Sequence, residues 1–205
     1  MMNSLFFILI GYLSGSVLYA RIFGFLFKKK DIVEGSRDRN PGTANAFMQG
    51  GFWCGICTLF CDLMKGMLPV YCYLHFSDIG KPDGMMLALV LAAPVAGHAF
   101  PVFYHWKGGK GIATTFGCLL GLFPDLSAAL ILAFFFLFFS LVLRVTPHYD
   151  RTIWTYMASV VAMILCRINL GVLIGFTTIT GIVCIRMHHS NEEREKCRVR
   201  LSWKR

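Results

Sequence analysis

The chain has 205 residues, of which 56% are hydrophobic, and a formal net charge of +9. A soluble domain of this length leaves too much of its surface exposed to hide so much apolar area, so the composition excludes an ordinary soluble fold. The basic residues lie beside long charge-poor runs and are not interleaved with aromatic residues on a polar platform, which argues against nucleic-acid binding. We therefore expect an all-α, polytopic transmembrane helix bundle that binds membrane lipid and no nucleic acid.

The first apolar run covers residues 4–27 and is followed at once by lysines at 28–30. It is too long for the core of a signal peptide and lacks a small-residue cleavage site, so it is predicted to be a retained span. Gly11, Gly15 and Gly24 would let other helices approach it closely. The lysine end is predicted to be cytoplasmic by the positive-inside rule, which places the N-terminus outside.

Residues 31–51 are polar and rich in glycine, and they are expected to lie outside the hydrocarbon. The next apolar run, residues 52–76, contains Asp62 and Lys65, which are three residues apart and therefore share a helix face. Ionisable residues inside a span usually face the bundle interior. The pair is either part of a functional site or a purely structural ion pair.

Three cysteines of this run, Cys54, Cys57 and Cys61, share one helix face. No histidine or fourth cysteine completes a set of metal ligands, and free cysteine is a common small buried residue. We therefore expect no metal site and no structural disulfide.

The third apolar run, residues 85–104, carries His98 near its end and leads into a basic loop. This loop contains Lys107 and Lys110 among the glycines Gly108, Gly109 and Gly111. Glycines permit positive φ and can turn backbone N–H groups into a nest for anions, to which lysines add charge. The loop is interpreted as a phosphate-binding site, and the alternative is a basic turn at the membrane surface.

Two longer charge-poor stretches follow, and each exceeds the length of one span. The 33 residues between Lys110 and Arg144 would make about 50 Å of helix against a hydrocarbon core of about 30 Å. A break at 123–125 gives spans at 111–122 and 126–143, and a break at 167–169 divides residues 152–185 in two. The total is about seven spans, or five if the short ones are re-entrant.

An odd number of spans places the C-terminus in the cytoplasm, together with the basic tail. Residues 31–51, 105–110 and 186–205 are therefore all expected at the cytoplasmic face of one integral-membrane domain, residues 1–205. Three polar segments that are distant in sequence can meet there.

Several motifs resemble those of the PlsY family of membrane acyltransferases. Gly-Ser at 35–36, Asn-Pro-Gly-Thr-Ala-Asn at 40–45 and Asp-Leu-Met-Lys-Gly at 62–66 are similar to its first motif region. Residues 97–103 and 107–114 resemble the second motif almost unaltered, and residues 186–194 resemble the third, in which a histidine and an asparagine lie three apart. The resemblance covers nearly the whole chain and identifies it as a divergent member.

The resemblance implies a seven-helix fold in the cell membrane with its site at the cytoplasmic face. It implies transfer of a fatty acyl group from acyl phosphate to the 1-hydroxyl of glycerol 3-phosphate, giving lysophosphatidic acid for phospholipid biosynthesis. It implies no cofactor, no metal and no need for acyl-CoA or acyl carrier protein. By resemblance, the catalytic residues are Lys110, His188 and Asn191. The implied substrate-binding residues are Ser36, Asp38, Arg39, Asn40, Gly42, Thr43, Asn45, Lys65, His98, Lys107, Gly108 and Gly109.

The chain departs from the family pattern in its first motif, which commonly reads Gly-Ser-Gly-Asn-Pro-Gly-Ala-Thr-Asn with an arginine three residues further on. The serine position is Asp38, unless a two-residue insertion restores Ser36 to that role, and the arginine position is Met48. An aspartate repels phosphate, and loss of an arginine removes a bidentate contact. One alternative is therefore an acyltransferase with a different phosphorylated acceptor. Another is a non-catalytic membrane protein or a transporter of phosphorylated solutes.

Overall fold

The computed structural model describes residues 4–28, 31–36, 38–76, 84–190 and 196–201. Within these ranges the chain is mostly helical, with two short strands. The elements are α1 (Ser4–Gly15), α2 (Tyr19–Lys28), α3 (Thr43–Gly50), α4 (Phe52–Phe76), α5 (Gly84–Ala99), α6 (Ile112–Leu120), α7 (Ser127–Leu137), β1 (Leu143–Thr146), α8 (His148–Leu165), α9 (Leu170–His188) and β2 (Arg198–Leu201). A 3-10 turn at Val102–Tyr104 follows α5, and a π-helical turn at Phe138–Val142 continues α7.

Helix α5 forms the centre of the bundle and packs against α1, α4, α6 and α9. Its close crossing with α1 depends on glycine, because a Cβ at Gly15 would clash with the backbone of Pro94 and a Cβ at Gly97 with the backbone of Tyr12. Gly11 also lies against Pro94, with 3.3 Å between the position of an added Cβ and the proline ring. The predicted close approach at Gly11 and Gly15 is confirmed.

The predicted first span is interrupted in the structure, since α1 ends at Gly15 and α2 begins at Tyr19. The Ser16 hydroxyl donates to the carbonyl of Tyr12 at 2.9 Å, and the Val17 carbonyl accepts from Lys65 at 2.8 Å. A lysine from a neighbouring helix thus satisfies a carbonyl that the break leaves without a helical partner.

Four stretches of the described chain are long and apolar enough to cross a membrane: Ser4–Lys28, Phe52–Phe76, Gly84–Tyr104 and Leu170–His188. Large hydrophobic side chains on the outside of the bundle are exposed, including Leu9, Phe60 and Leu130, as expected for a surface that faces lipid.

The expectation of about seven spans is met only in part. The predicted breaks at 123–125 and 167–169 are confirmed, because α6 ends at Leu120 before α7 begins, and α8 ends at Leu165 before α9 begins. However, α6 has nine residues and is about 14 Å long, which is too short to cross a core of about 30 Å. The count of seven spans and the orientation of the termini stay predictions.

The expectation of an all-α fold is wrong in one detail. Strands β1 and β2 pair in an antiparallel two-stranded sheet, with Leu143 opposite Leu201 and Thr146 opposite Arg198. Each strand has four residues, so its alternation is too short to be distinguished from the end of an apolar helix by sequence pattern.

Candidate functional site

The basic glycine-rich loop folds back on the end of α5. The Gly109 N–H donates to the carbonyl of His98 at 2.9 Å. A Cβ at Gly108 would clash with the same carbonyl, so this position requires glycine for close approach. Among the three loop glycines, the predicted positive φ occurs at Gly111 alone, where φ is 77° and α6 begins. Backbone contacts with α5 therefore fix the positions of the flanking lysines.

Lys110 is buried, with 8% of its surface exposed, and its Nζ lies 3.0 Å from Asp38 Oδ2. The same carboxylate accepts from Asn45 Nδ2 at 2.7 Å and from the Asn40 N–H at 3.2 Å. Burial alone would raise the pKa of Asp38, but the hydrogen bond from Asn45 and the charge of Lys110 outweigh it and hold the pKa below its usual value. The carboxylate is therefore charged at neutral pH.

A polar cavity of about 680 Å³ opens beside this ion pair. It is formed by six residues between positions 31 and 40, by the loop residues Lys107, Gly108 and Lys110, and by the end of α9 at Arg186 with His189 and Ser190. Five basic side chains line it: Arg21, Arg39, Lys107, Lys110 and Arg186. Three carboxylates also line it: Asp31, Glu34 and Asp38. The excess of cations suits an anionic ligand such as a phosphate ester.

A second cavity of about 520 Å³ also adjoins the ion pair. Its walls include aliphatic and aromatic side chains: Met48, Leu59, Ile112 and Phe116. Asp38, Asn40 and Lys110 line both cavities. The Asp38–Lys110 pair thus forms a shared wall between a polar compartment and a partly apolar one.

Arg186 is a site residue that the sequence interpretation did not include among the substrate-binding residues. Its Nη2 donates to the Gly108 carbonyl at 2.6 Å, and its guanidinium carbon lies 5.8 Å from the centre of the Phe100 ring. Arg21 was also missed and pairs with Asp31, which in turn accepts from the Val33 N–H at 2.9 Å. In the sequence, the feature that could have indicated Arg21 and Arg186 as site residues is their position near the end of an apolar run.

Lys65, Asp62 and His98 form a buried polar cluster beside the second cavity, which Asp62 and His98 line. Lys65 Nζ lies 2.7 Å from Asp62 Oδ1 and 2.8 Å from His98 Nδ1. Because an ammonium group can only donate, Nδ1 of His98 accepts, and a neutral imidazole then carries its proton on Nε2. The Thr43 hydroxyl donates to Asp62 Oδ2 at 3.4 Å. The cluster links α4, α5 and the α1–α2 break.

The structure places most of the predicted site residues around the two cavities. Those that line the polar cavity are Asp38, Arg39, Asn40, Lys107, Gly108 and Lys110. Those that line the second cavity are Asp38, Asn40, Gly42, Thr43, Asn45, His98 and Lys110. The predicted residues that line neither are Ser36, Lys65, Gly109 and His188.

These four lie in different surroundings. The Ser36 hydroxyl donates to the Val33 carbonyl at 2.9 Å, and Lys65 belongs to the buried cluster. His188 is exposed at the end of α9, next to His189, which does line the polar cavity. Asn191 lies outside the described residues. The catalytic roles assigned to His188 and Asn191 stay predictions.

Gly109→Ala is expected to disrupt the loop, because an added Cβ would clash with His98 Nε2 and come within 3.2 Å of Asn40 Oδ1. We expect a lower unfolding temperature and loss of ligand binding in the polar cavity. Gly181→Ala is the matched control, since no described atom apart from the adjoining backbone of its own helix lies within 4 Å of its added Cβ, and alanine favours a helix by up to about 1 kcal/mol. Equal unfolding temperatures for the two variants would contradict the assigned contact.

The comparisons with known sequences all identify the same family. The sequence pattern of the family described as Glycerol-3-phosphate acyltransferase matches residues 5–196. A glycerol-3-phosphate acyltransferase of Vibrio cholerae is 34% identical over 172 residues, which cover 80% of each chain. One of Albidiferax ferrireducens is 41% identical over 141 residues, or 65% of this chain and 61% of that one. A third, from Legionella pneumophila, is 39% identical over 120 residues, which are 57% of this chain and 40% of that one. The match spans less than two thirds of the last two relatives.

Comparison with solved structures gives the same fold. The crystal structure of PlsY, an integral membrane glycerol 3-phosphate acyltransferase, in its glycerol 3-phosphate form has a TM-score of 0.76 at 24% identity, covering 90% of this chain and 88% of that one. The lysophosphatidic acid form has a TM-score of 0.73 at 25% identity, covering 89% and 87%. The chain therefore shares the overall fold of this integral membrane protein over most of its length.

Proposed function

Because the chain belongs to the glycerol-3-phosphate acyltransferase family, we propose that it transfers a fatty acyl group from acyl phosphate to the 1-hydroxyl of glycerol 3-phosphate. The product is lysophosphatidic acid, an early intermediate of phospholipid biosynthesis. The observation that supports this reaction most strongly is the position of Lys110, which lines both a cation-rich cavity and a partly apolar one.

We assign the two substrates to the two cavities by their chemistry. Glycerol 3-phosphate fits the polar cavity, where Arg39, Lys107 and Arg186 can meet its phosphate. The second cavity, lined by Leu59, Ile112 and other apolar groups, suits the first carbons of an acyl chain. The carbonyl carbon and phosphate of the donor then lie at the shared wall, close to Lys110.

The proposed reaction needs no covalent enzyme intermediate, because the phosphate of an acyl phosphate is a good leaving group. The 1-hydroxyl oxygen bonds to the carbonyl carbon, the carbonyl–phosphate C–O bond breaks, and the phosphate leaves with the electron pair. The hydroxyl proton passes to the released phosphate or to water. Lys110 stabilises the charge that develops on the phosphate, and the cavities hold donor and acceptor together. His188 and Asn191 are proposed to orient substrate or assist proton movement.

The direct test is an assay of purified protein with labelled glycerol 3-phosphate and either acyl phosphate or acyl-CoA. We expect labelled lysophosphatidic acid with acyl phosphate and none with acyl-CoA. No labelled lipid with acyl phosphate in any detergent or lipid would refute the reaction, and equal rates with the two donors would refute donor selectivity.

A different phosphorylated acceptor is a second candidate, and Asp38 supports it. Its carboxylate faces the polar cavity beside Lys110, so it repels phosphate but can accept hydrogen bonds from additional hydroxyl groups. A panel of polyol phosphates separates the two acceptors. A clear preference for a larger polyol phosphate supports the second candidate, and a preference for glycerol 3-phosphate excludes it.

We also propose that the site lies at the cytoplasmic face of the cell membrane, as the basic residues at 28–30 favour. Cys166 and Cys197 are exposed and lie at opposite ends of the α8–α9 pair. In intact cells, a membrane-impermeant thiol reagent should label a variant that keeps only Cys166. A variant that keeps only Cys197 should react with the reagent only after the cells are permeabilised. If Cys197 reacts in intact cells and Cys166 only after permeabilisation, the site lies outside.

A further inference from the structure

The two-stranded sheet has one basic face and one aliphatic face. Paired residues of an antiparallel sheet share a face, and successive residues alternate between faces. The cross-strand pairs are Leu143–Leu201, Arg144–Arg200, Val145–Val199 and Thr146–Arg198. Three arginines and a threonine therefore share one face, and four aliphatic residues share the other. Val145 is 2% exposed, which shows that the aliphatic face is the one turned to the bundle at β1.

The arginine face is exposed, and none of the carboxylates that the structure describes pairs with it. Arg144, Arg198 and Arg200 are all exposed, and Arg144 lies directly opposite Arg200. Like charges directly opposite each other destabilise a strand pair. Within the described ranges no carboxylate forms a salt bridge with these arginines, and the nearby Asp150 interacts with the Cys197 thiol. An anion from outside the chain would relieve this repulsion.

The sheet lies at the end of an apolar helical stretch, which is the level expected for lipid headgroups. Strand β1 follows directly on the apolar helical stretch Ser127–Val142. It leads through Pro147 to His148, which lines the partly apolar cavity. Strand β2 follows α9, whose last residues line the polar cavity. The arginines thus lie at the end of the bundle that carries both cavities, where an apolar helix ends.

We propose that the basic face of this sheet binds the phosphate headgroup of an anionic phospholipid of the surrounding membrane. Guanidinium groups bind phosphate oxygens through two parallel hydrogen bonds, and Arg144 and Arg200 present two such groups side by side. Anionic lipid at a membrane surface attracts basic segments placed close to it. The bound headgroup joins β1 to β2 and so holds β2 at the end of the bundle that carries both cavities.

The test compares the full-length protein in nanodiscs of phosphatidylcholine alone and in nanodiscs that also contain phosphatidylglycerol. We expect phosphatidylglycerol to raise the unfolding temperature of the parent protein. The double variant Arg144→Gln/Arg200→Gln should lose most of this increase. Arg167→Gln is the matched control, because this exposed arginine follows the opposite end of α8, and it should keep the increase.

The unfolding temperatures in phosphatidylcholine nanodiscs distinguish a loss of lipid binding from misfolding. Because the substitutions remove the repulsion between the two strands, the double variant should be at least as stable there as the parent. Raising the salt to about 1 M, where the Debye length is about 3 Å, should reduce the increase seen for the parent. The proposal is overturned if the double variant keeps the full increase, if Arg167→Gln loses as much, or if the double variant is equally destabilised in both lipids.

Discussion

Lys110→Ala is expected to lower acyl-transfer turnover by at least about 100-fold, the usual loss when one pre-positioned group that stabilises transition-state charge is removed. Lys110 lines both cavities and is held by Asp38 at 3.0 Å, so its ammonium lies where the leaving phosphate is proposed to develop charge. Turnover with saturating acyl phosphate and glycerol 3-phosphate measures the effect.

Lys107→Ala is the matched control, because Lys107 is an exposed lysine of the same loop and lines the polar cavity but not the second cavity. Its loss should raise the KM for glycerol 3-phosphate with a much smaller effect on turnover. Size-exclusion profiles and unfolding temperatures should show that both variants fold. Turnover of Lys110→Ala within a few-fold of the parent, in a folded protein, would refute its assigned role.

Asp62→Ala is expected to destabilise the bundle by about 3–5 kcal/mol, because it leaves the Lys65 ammonium buried without its counter-charge. The two side chains are among the most buried charged groups described, with Asp62 1% and Lys65 3% exposed. The free energy of unfolding in detergent micelles measures the loss. Substituting both residues, as Asp62→Leu/Lys65→Met, removes both charges and should recover part of it.

The recovery is expected to be incomplete, because Lys65 also donates to the Val17 carbonyl at 2.8 Å, and this buried acceptor would lose its partner. Arg21→Ala serves as the comparison, since the Arg21–Asp31 pair is partly exposed and should contribute about 0–1 kcal/mol. A double variant less stable than either single variant would show that the pair is net stabilising as a unit and would contradict the expected recovery.

Local sequence patterns predicted the features that depend on nearby residues. Asp62 and Lys65 pair because a spacing of three residues places them on one helix face. The break between α8 and α9 follows from the length of a helix relative to the hydrocarbon core. The glycine-rich loop was recognised because its residue types are unusual beside an apolar run, although two of its three glycines serve close packing and not positive φ.

The features that sequence did not predict depend on contacts between distant residues. Arg186 reaches the Gly108 carbonyl across 78 positions of the chain, and in sequence it is indistinguishable from a basic residue that ends a span. Asp38 was seen as a departure from the family motif, but its pairing with Lys110 requires the fold to bring two loops together. The sheet depends on strands too short to show a period.

We propose that three distant segments form one phosphate-binding cavity. The most direct test of this proposal is the affinity of the purified protein for glycerol 3-phosphate in the variants Arg39→Gln, Lys107→Gln and Arg186→Gln, with Arg167→Gln as control. Each of the first three removes a cation from a different segment of the cavity wall and should weaken binding by about fivefold or more, while the control should bind as the parent does. Unchanged affinity in the variant of any one segment would contradict the shared cavity.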